Sequence, residues 1–270
     1  MTRRRVCLIL LALLALLLLA AAFDARLRVV RYEIVSDKVT APVRLAVVSD
    51  LHSCAYGGGQ RTLLDAVDAQ KPDAVLLTGD IVDDEMPEEN AWTTIAGLAE
   101  AYPCFYVTGN HEWWIADTER VLRRMEELGV TVLQGECASL EIHGQSISLC
   151  GIDDPDSGNS DAQLAAVGEA VTGDSFTVLL AHRPERIVSY LAYPFDMVVS
   201  GHAHGGQWRI PGLLNGLYAP HQGLFPTYAG GRYDFDGTTF IVSRGLARES
   251  TKVPRIFNRP ELEIVDILPV

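Results

Sequence analysis

The sequence of 270 residues has no Cys-x-x-Cys pair. Its five cysteines, Cys7, Cys54, Cys104, Cys137 and Cys150, are scattered. That spacing excludes a zinc ribbon and a thioredoxin-type redox motif. It allows disulfides in an oxidising compartment, with free buried thiols as the expected state. Positive charge is also scarce. Lys and Arg total 22 against 35 Asp and Glu, a formal net charge of -13. Nucleic-acid phosphates are held by Lys and Arg, so no nucleic-acid partner is expected. The acidity reads first as solubility. There is no internal repeat, and no low-complexity tract beyond one apolar run.

That run extends from Val6 to Phe23, almost pure Leu, Ala, Ile and Val, behind the basic stretch Thr2-Arg3-Arg4-Arg5. At about 18 residues it sits at the lower limit for a helix that spans a bilayer. Ala20-Ala21-Ala22 would suit signal-peptide cleavage, but the run is long for a cleaved signal. A retained membrane anchor over residues 1–24 is the favoured reading. Arg3, Arg4 and Arg5 favour a cytoplasmic N-terminus, although Arg26, Arg28 and Arg31 flank the other end. The short leading tail then places residues 25–270 on the extracytoplasmic side of the cell membrane.

An apolar share of 48% supports one large domain. Val29 to Val35 alternates and predicts an edge strand, so the linker from the anchor is short. Strands are predicted at Val43–Ser49, Ala74–Thr78, Cys104–Thr108, Val130–Leu133, Ser139–Ile142, Ser146–Cys150, Phe176–Ala181, Met197–Ser200, Thr238–Ser243 and Leu262–Leu268. Helical spacing covers Arg61–Ala69, Glu88–Ala101, Thr118–Leu128, Asp161–Val171 and Pro184–Leu191. The first half alternates strand and helix, and the second adds antiparallel pairs. This predicts an α/β (α+β) fold of two packed sheets with helices outside.

The chain is organised around Ala74-Val75-Leu76-Leu77-Thr78-Gly79-Asp80, a short apolar strand that stops at a glycine and presents one carboxylate. Four other apolar runs end alike, in Ser49-Asp50-Leu51-His52, Thr108-Gly109-Asn110-His111-Glu112, Leu180-Ala181-His182 and Ser200-Gly201-His202-Ala203-His204. Asp50 and His52, and likewise His202 and His204, are two apart and can turn towards one ion. Imidazole with carboxylate suits Zn, Fe, Mn or Co better than Ca. Two divalent ions need a bridging carboxylate, here Asp80, and can hold a bridging hydroxide as nucleophile. Asn110 could supply a neutral ligand and leave more positive charge at its ion. His111, next to it, is left free to protonate a leaving oxygen. Asp83 could orient His111 through a ring nitrogen.

In order and context these five blocks resemble those of the calcineurin-like metallophosphoesterase superfamily. The resemblance implies a four-layer αββα sandwich of two mixed β-sheets. It implies Asp50, His52 and His204 as ligands of one ion and Asn110, His182 and His202 as ligands of the other. Asp80 would bridge them, and Asn110 and His111 would contact substrate, with His111 the acid. Two divalent ions, Mn, Zn or Fe, are the implied cofactors. Further on, Ser243-Arg244-Gly245-Leu246 and Pro254-Arg255-Ile256-Phe257-Asn258-Arg259-Pro260-Glu261 are similar to the membrane-anchored branch, which holds bacterial envelope phosphodiesterases and UDP-2,3-diacylglucosamine hydrolases. One departure is clear. In the phosphoprotein phosphatase branch a phosphate-gripping Arg would follow Asp83, and here Asp84 and Glu85 follow, against a protein phosphatase.

The expectation is therefore a monomeric phosphoesterase acting on a phosphodiester or pyrophosphate of a lipid or nucleotide-linked lipid. The alternatives are a broad-specificity phosphomonoesterase, a nuclease, and a non-catalytic metal-binding envelope protein. His143 reads as a solvated turn residue and His221 as a loop residue rather than a rim of the site. Trp113 and Trp114 suit core packing or an apolar rim. Asp83, Asp84 and Glu85, with Glu88 and Glu89, read as a mainly solvated face.

Overall fold

The computed structural model describes residues 2–248 and 253–270. It opens with helix α1 (Arg3–Ala22), whose side chains are almost all exposed. Strand β1 (Arg28–Ser36) follows. A βα alternation comes next: β2 (Val43–Val48), α2 (Arg61–Asp68), β3 (Ala74–Thr78), α3 (Glu89–Ala101), β4 (Cys104–Val107), α4 (Asn110–Trp114), α5 (Thr118–Glu127) and β5 (Thr131–Val132). The hairpin β6 (Glu136–Ile142) and β7 (Gln145–Gly151) turns at His143-Gly144 and leads to α6 (Ser160–Ala170). Then come β8 (Thr177–Leu180), α7 (Ile187–Tyr190) and β9 (Met197–Ser200). After a long connection with β10 (Tyr218–Ala219) and β11 (Gly223–Leu224), the hairpin β12 (Gly231–Phe235) and β13 (Thr238–Val242) and the strand β14 (Glu261–Pro269) close the fold.

Two six-stranded sheets form, in the orders β1-β14-β2-β3-β4-β5 and β12-β13-β9-β8-β7-β6. Both are mixed: β2 to β5 and β7, β8, β9, β13 run parallel, while β14 opposes β2, and β6 and β12 oppose their neighbours. The inner strands are buried on both faces, which explains their unbroken apolar runs. Alternation decides which layer each side chain joins. Leu45, Val47, Leu76, Leu149, Val178, Leu180 and Val199 fill the space between the sheets. Ala46, Val48, Val75, Leu77 and Tyr106 face α2, α3 and α5 instead. On the far side Cys150, Leu179, Val198, Phe240 and Val242 face α6 and α7. The result is the expected four layers.

The cysteine expectation needs correcting. Cys54 and Cys104 are buried thiols, but Cys137 and Cys150 are disulfide-bonded. They are direct partners across the antiparallel pair β6–β7, where opposed Cβ atoms lie close enough to bridge. Spacing in the sequence could not show this, because the pairing depends on the hairpin register.

Candidate metal centre

The parallel strands β2, β3, β4, β8 and β9 all end at one edge of the two sheets, and each is followed by a polar residue of the site. Ligands of open α/β sheets bind outside these carboxyl ends. The chain turns sharply there. Asp50, His52, Asp80, His202 and His204 all have positive φ, at 48°, 47°, 52°, 65° and 47°. For residues other than glycine each such conformation costs roughly 1–3 kcal/mol and persists only where the surroundings impose it.

The imposing contacts are visible. The Asp50 amide donates to the Gly79 carbonyl at 3.1 Å and the His52 amide to the Asp80 carbonyl at 2.9 Å, so the loops after β2 and β3 are zipped together. Glu112, fully buried on α4, accepts from the amides of Asp80, Ile81, Val82 and Gly109 at 2.7–3.0 Å. That one carboxylate pins the Asp80 loop to the start of α4, which carries Asn110 and His111. A side chain at Gly109 would strike the Asp80 carboxylate, and one at Gly201 would strike Ser49 and Asp50. Only glycine lets these backbones approach so closely.

Four groups of donor atoms result among the described residues, and two of them share Asp80. Asp50, His52, Asp80 and His204 form one, and Asp80, His182 and His202 the other, with ligand atoms within 4.8 Å of each other in each group. Asp80 is common to both. Asn110 is 2% exposed, and its Oδ1 has no hydrogen-bond partner. His52 Nε2 and His204 Nδ1 are likewise buried without partners. A buried polar atom left unpaired is costly unless something absent from the protein chain meets it. Carboxylate, imidazole and amide donors with these orphaned atoms fit two divalent cations that share Asp80.

Outer contacts fix the rings. His182 Nδ1 lies 2.8 Å from the Thr78 carbonyl. A carbonyl only accepts, so Nδ1 carries a proton and Nε2, 3.0 Å from Asp80 Oδ2, faces the centre. His52 Nδ1 lies 2.8 Å from Asp83 Oδ2, which leaves Nε2 facing Asp80 at 3.6 Å. The Asp50 carboxylate accepts from Ser49 Oγ at 2.6 Å and from the His202 amide at 2.8 Å.

The electrostatics are those of a cation site. Burial raises the Asp50 carboxyl above its usual range. Burial also opposes charge on Asp80, but His182 and His52 hold its carboxyl well below the usual range. Burial opposes charge on His182, yet Asp80 and Asp50 push it up to about 10. The same carboxylate charge would attract a metal cation in place of that proton. Burial, and then the neighbouring His182 and His52, hold His202 and His204 well below the ordinary imidazole value. Both keep lone pairs available.

Some residues fall elsewhere than expected. Asp83 is buried rather than solvated, and its nearer histidine is His52 at 2.8 Å, not His111 at 3.4 Å. Asp84 lies closest to His111, with Oδ1 2.6 Å from Nδ1. The turn after Ile81 decides this, because Asp83 Oδ1 is already bound by the amides of Glu85 and Met86. His143 is exposed, as expected, beside Asp73 at 3.2 Å. His221 reaches the site after all, with Nδ1 2.9 Å from His202 Nε2 and a contact to Arg183. The buried Arg183 is held in turn by Asp154. Glu112 was legible only as part of the Gly109–Glu112 block; its carboxylate three residues past a glycine turn was the available signal.

A cleft of about 390 Å³ opens beside His111 and His204, lined also by Asp83, Asp84, Glu85, Trp114, Gln207, Tyr218, Pro220 and Val253. Trp114 is half exposed, its ring 4.6 Å from that of His111, so it is a rim residue. Trp113 packs inward and donates to Thr108 Oγ1.

A family model described as calcineurin-like phosphoesterase matches residues 43–206. A metallophosphoesterase of Helicobacter pylori strain J99 is 30% identical over 254 residues, which cover 91% of this chain and 65% of that protein. The chain thus spans just under two thirds of that relative's length. The phosphodiesterase YaeI of Escherichia coli is 27% identical over 235 residues, 84% of this chain and 83% of that protein. Among solved structures, a dimetal phosphatase from Danio rerio aligns with a TM-score of 0.51 at 15% identity, over 76% of this chain and 88% of that one. The NAD nucleotidase of Haemophilus influenzae aligns at 0.50 and 17%, over 77% and 45%. At these identities the structural likenesses carry the fold alone.

Proposed function

Because the chain belongs to the calcineurin-like phosphoesterase family, we propose that it is a two-metal phosphodiesterase held at a membrane by α1, with residues 25–270 as its catalytic unit. The observation that carries this is the pair of donor groups that share Asp80 while Asn110 Oδ1, His52 Nε2 and His204 Nδ1 stay orphaned. In this reading Asp50, His52 and His204 hold one ion, Asn110, His182 and His202 the other, and Asp80 joins them. Bound there, the ion pair supplies a water-derived nucleophile at neutral pH and positive charge against the phosphoryl oxygens.

The chain's own groups do the rest. Thr78 and Asp83 set the faces of His182 and His52 through their Nδ1 atoms. Asp84 fixes the His111 ring through Nδ1 and leaves Nε2 to hand a proton to the leaving oxygen. Asn110 adds no charge, so a phosphoryl oxygen meets less repulsion there than a third carboxylate would give.

The cleft favours a diester over a monoester. Asp83, Asp84 and Glu85 line it, and no Lys or Arg does among the described residues. A monoester dianion meets more repulsion there than a diester monoanion. The phosphodiesterase activity in the name of the Escherichia coli relative supports the same choice. A lipid-linked diester or pyrophosphate fits a catalytic unit tied to α1, the described helix that is long and apolar enough to cross a membrane. A monomer on the extracytoplasmic side completes the reading, and the Cys137–Cys150 bond suits that oxidising compartment.

The test is hydrolysis of bis-p-nitrophenyl phosphate against p-nitrophenyl phosphate by the full chain, stripped of metal and reloaded with Mn, Zn, Co or Mg. Metal-dependent diester cleavage supports the proposal. Monoester cleavage alone moves it to a phosphatase, and stoichiometric metal without turnover on either ester moves it to a metal-binding scaffold.

A further inference from the structure

Among the described residues outside α1, six of the exposed large apolar side chains fall in one segment. Trp208, Ile210, Leu213, Tyr218, Leu224 and Phe225 are 40–82% exposed, all within the connection between β9 and β12. This segment is an ordered flap. Leu217 donates to the Trp208 carbonyl and Phe225 to the Leu217 carbonyl, at 2.9 and 2.8 Å, and β10 pairs with β11. Trp208 bridges to Ile256, and its indole donates to the Pro254 carbonyl at 3.0 Å. The flap therefore holds its apolar side chains out on a defined scaffold, against the usual tendency of a soluble surface to scatter them.

Its position is set by two adjacent residues. The Phe257 amide donates to the carbonyl of Ala22, the last residue of α1, at 2.8 Å. The next side chain, Asn258, donates to the carbonyls of His204 and Gln207 at 2.8 and 3.1 Å. The end of the apolar helix, the metal centre and the root of the flap are thus joined through one dipeptide. Asp24 pairs with Arg26 at 2.8 Å and with Arg259 at 3.6 Å at the same junction, and Arg259 donates to the carbonyls of Arg26 and Leu27. Tyr218 and Pro220 line the metal cleft as well as belonging to the flap, and Gln207, just before it, lines the cleft too.

We propose that the flap from Trp208 to Phe225 is a second membrane-contact surface, seated in the headgroup layer of the bilayer that holds α1, so that the cleft opens onto lipid headgroups. The tie between Ala22 and Phe257 keeps this face at the end of α1, where any bilayer holding the helix must begin. Aromatic side chains at such a boundary keep their polar edge wet and their rings in the acyl border. Arg26 is exposed there as well, although it is paired with Asp24, so the apolar and aromatic side chains carry the contact. The inference rests on the anchor reading of α1 and not on the chemistry of the metal site.

The experiment uses the full chain in vesicles of phosphatidylcholine and phosphatidylglycerol, with and without brominated acyl chains, and reads tryptophan emission. Bromine is expected to quench part of the emission. Trp208→Phe should lose that component while Trp92, Trp113 and Trp114 still emit, and Leu213→Trp should add to it. An unchanged quenched fraction in both variants, in protein that survives carbonate extraction, overturns the proposal and leaves the anchor standing. Release of the chain by carbonate overturns anchor and flap together. Cross-linked dimers in detergent that Leu213→Asp abolishes, with no quenching in vesicles, would assign the face to a second copy and overturn the proposal. Hydrolysis of bis-p-nitrophenyl phosphate, read in parallel, reports on the metal site independently.

Discussion

The two sheets meet the candidate metal centre with different chemistry. The first, through the ends of β2, β3 and β4, brings the oxygens of Asp50, Asp80 and Asn110, with His52 as its imidazole. The second, through β8 and β9, brings imidazoles only: His182, His202 and His204. They also differ in bracing. The first half is internally pinned, with Glu112 gathering four amides and the loops after β2 and β3 hydrogen-bonded to each other. The second half leans on the first. His182 is oriented by Thr78 of β3, and the His202 amide is held by Asp50. Each of the two donor groups that share Asp80 draws residues from both sheets, so the centre is a property of the packing between them.

Replacing the shared group should break this comparison hardest. Asp80→Asn keeps the shape but removes the charge common to both donor groups. Metal analysis should find both ions lost or weakened, with diester turnover at background; full occupancy of one site would show that the two halves act separately. His111→Asn comes next, with kcat lower by about 10²–10⁴-fold at unchanged metal content, the usual range for a lost general acid. Loss of metal instead would make His111 part of the first half's bracing.

The two carboxylates beside the histidines separate more finely. Asp83→Asn should weaken metal affinity by about 10–100-fold, as is usual for the partner of a ligating histidine. Asp84→Asn should leave metal affinity intact and lower kcat only, because its contact is with His111. The reverse pattern would return Asp83 to its expected role at His111. Smallest is the thermal effect. Ions that cross between the sheets stabilise the folded state by about 2.7 kcal/mol per site at a hundredfold excess over Kd, roughly 5–10 °C for a domain of this size. Calorimetry before and after chelation measures it. An unchanged Tm would mean that the sheets hold their geometry without the ions.

Much of the fold was legible because the inner strands are short apolar runs that stop at small or polar residues, and their order along the chain dictates the βα path. What was missed is local. Strand β12, which alternates charged and aromatic residues, is not among the predicted strands, and it pairs with β13. Asn110–Trp114 forms a helix too short to show a period. His221 looked remote, and its contact with His202 depends on the long connection folding back. Asp83 and Asp84 differ by one position, and only the turn geometry assigns each its histidine.

The sequence by itself determined which residue types stand at the strand ends, and hence the ligand chemistry. It also determined the apolar helix and the net charge of -13. Those follow from composition and local periodicity, which need no partner. The tertiary structure alone decided that the donor groups share Asp80, that Glu112 organises the loops, that Cys137 faces Cys150, and that the root of the flap is tied to the end of α1. Each depends on register or on contact between segments far apart in the chain, and no local pattern records where such segments meet.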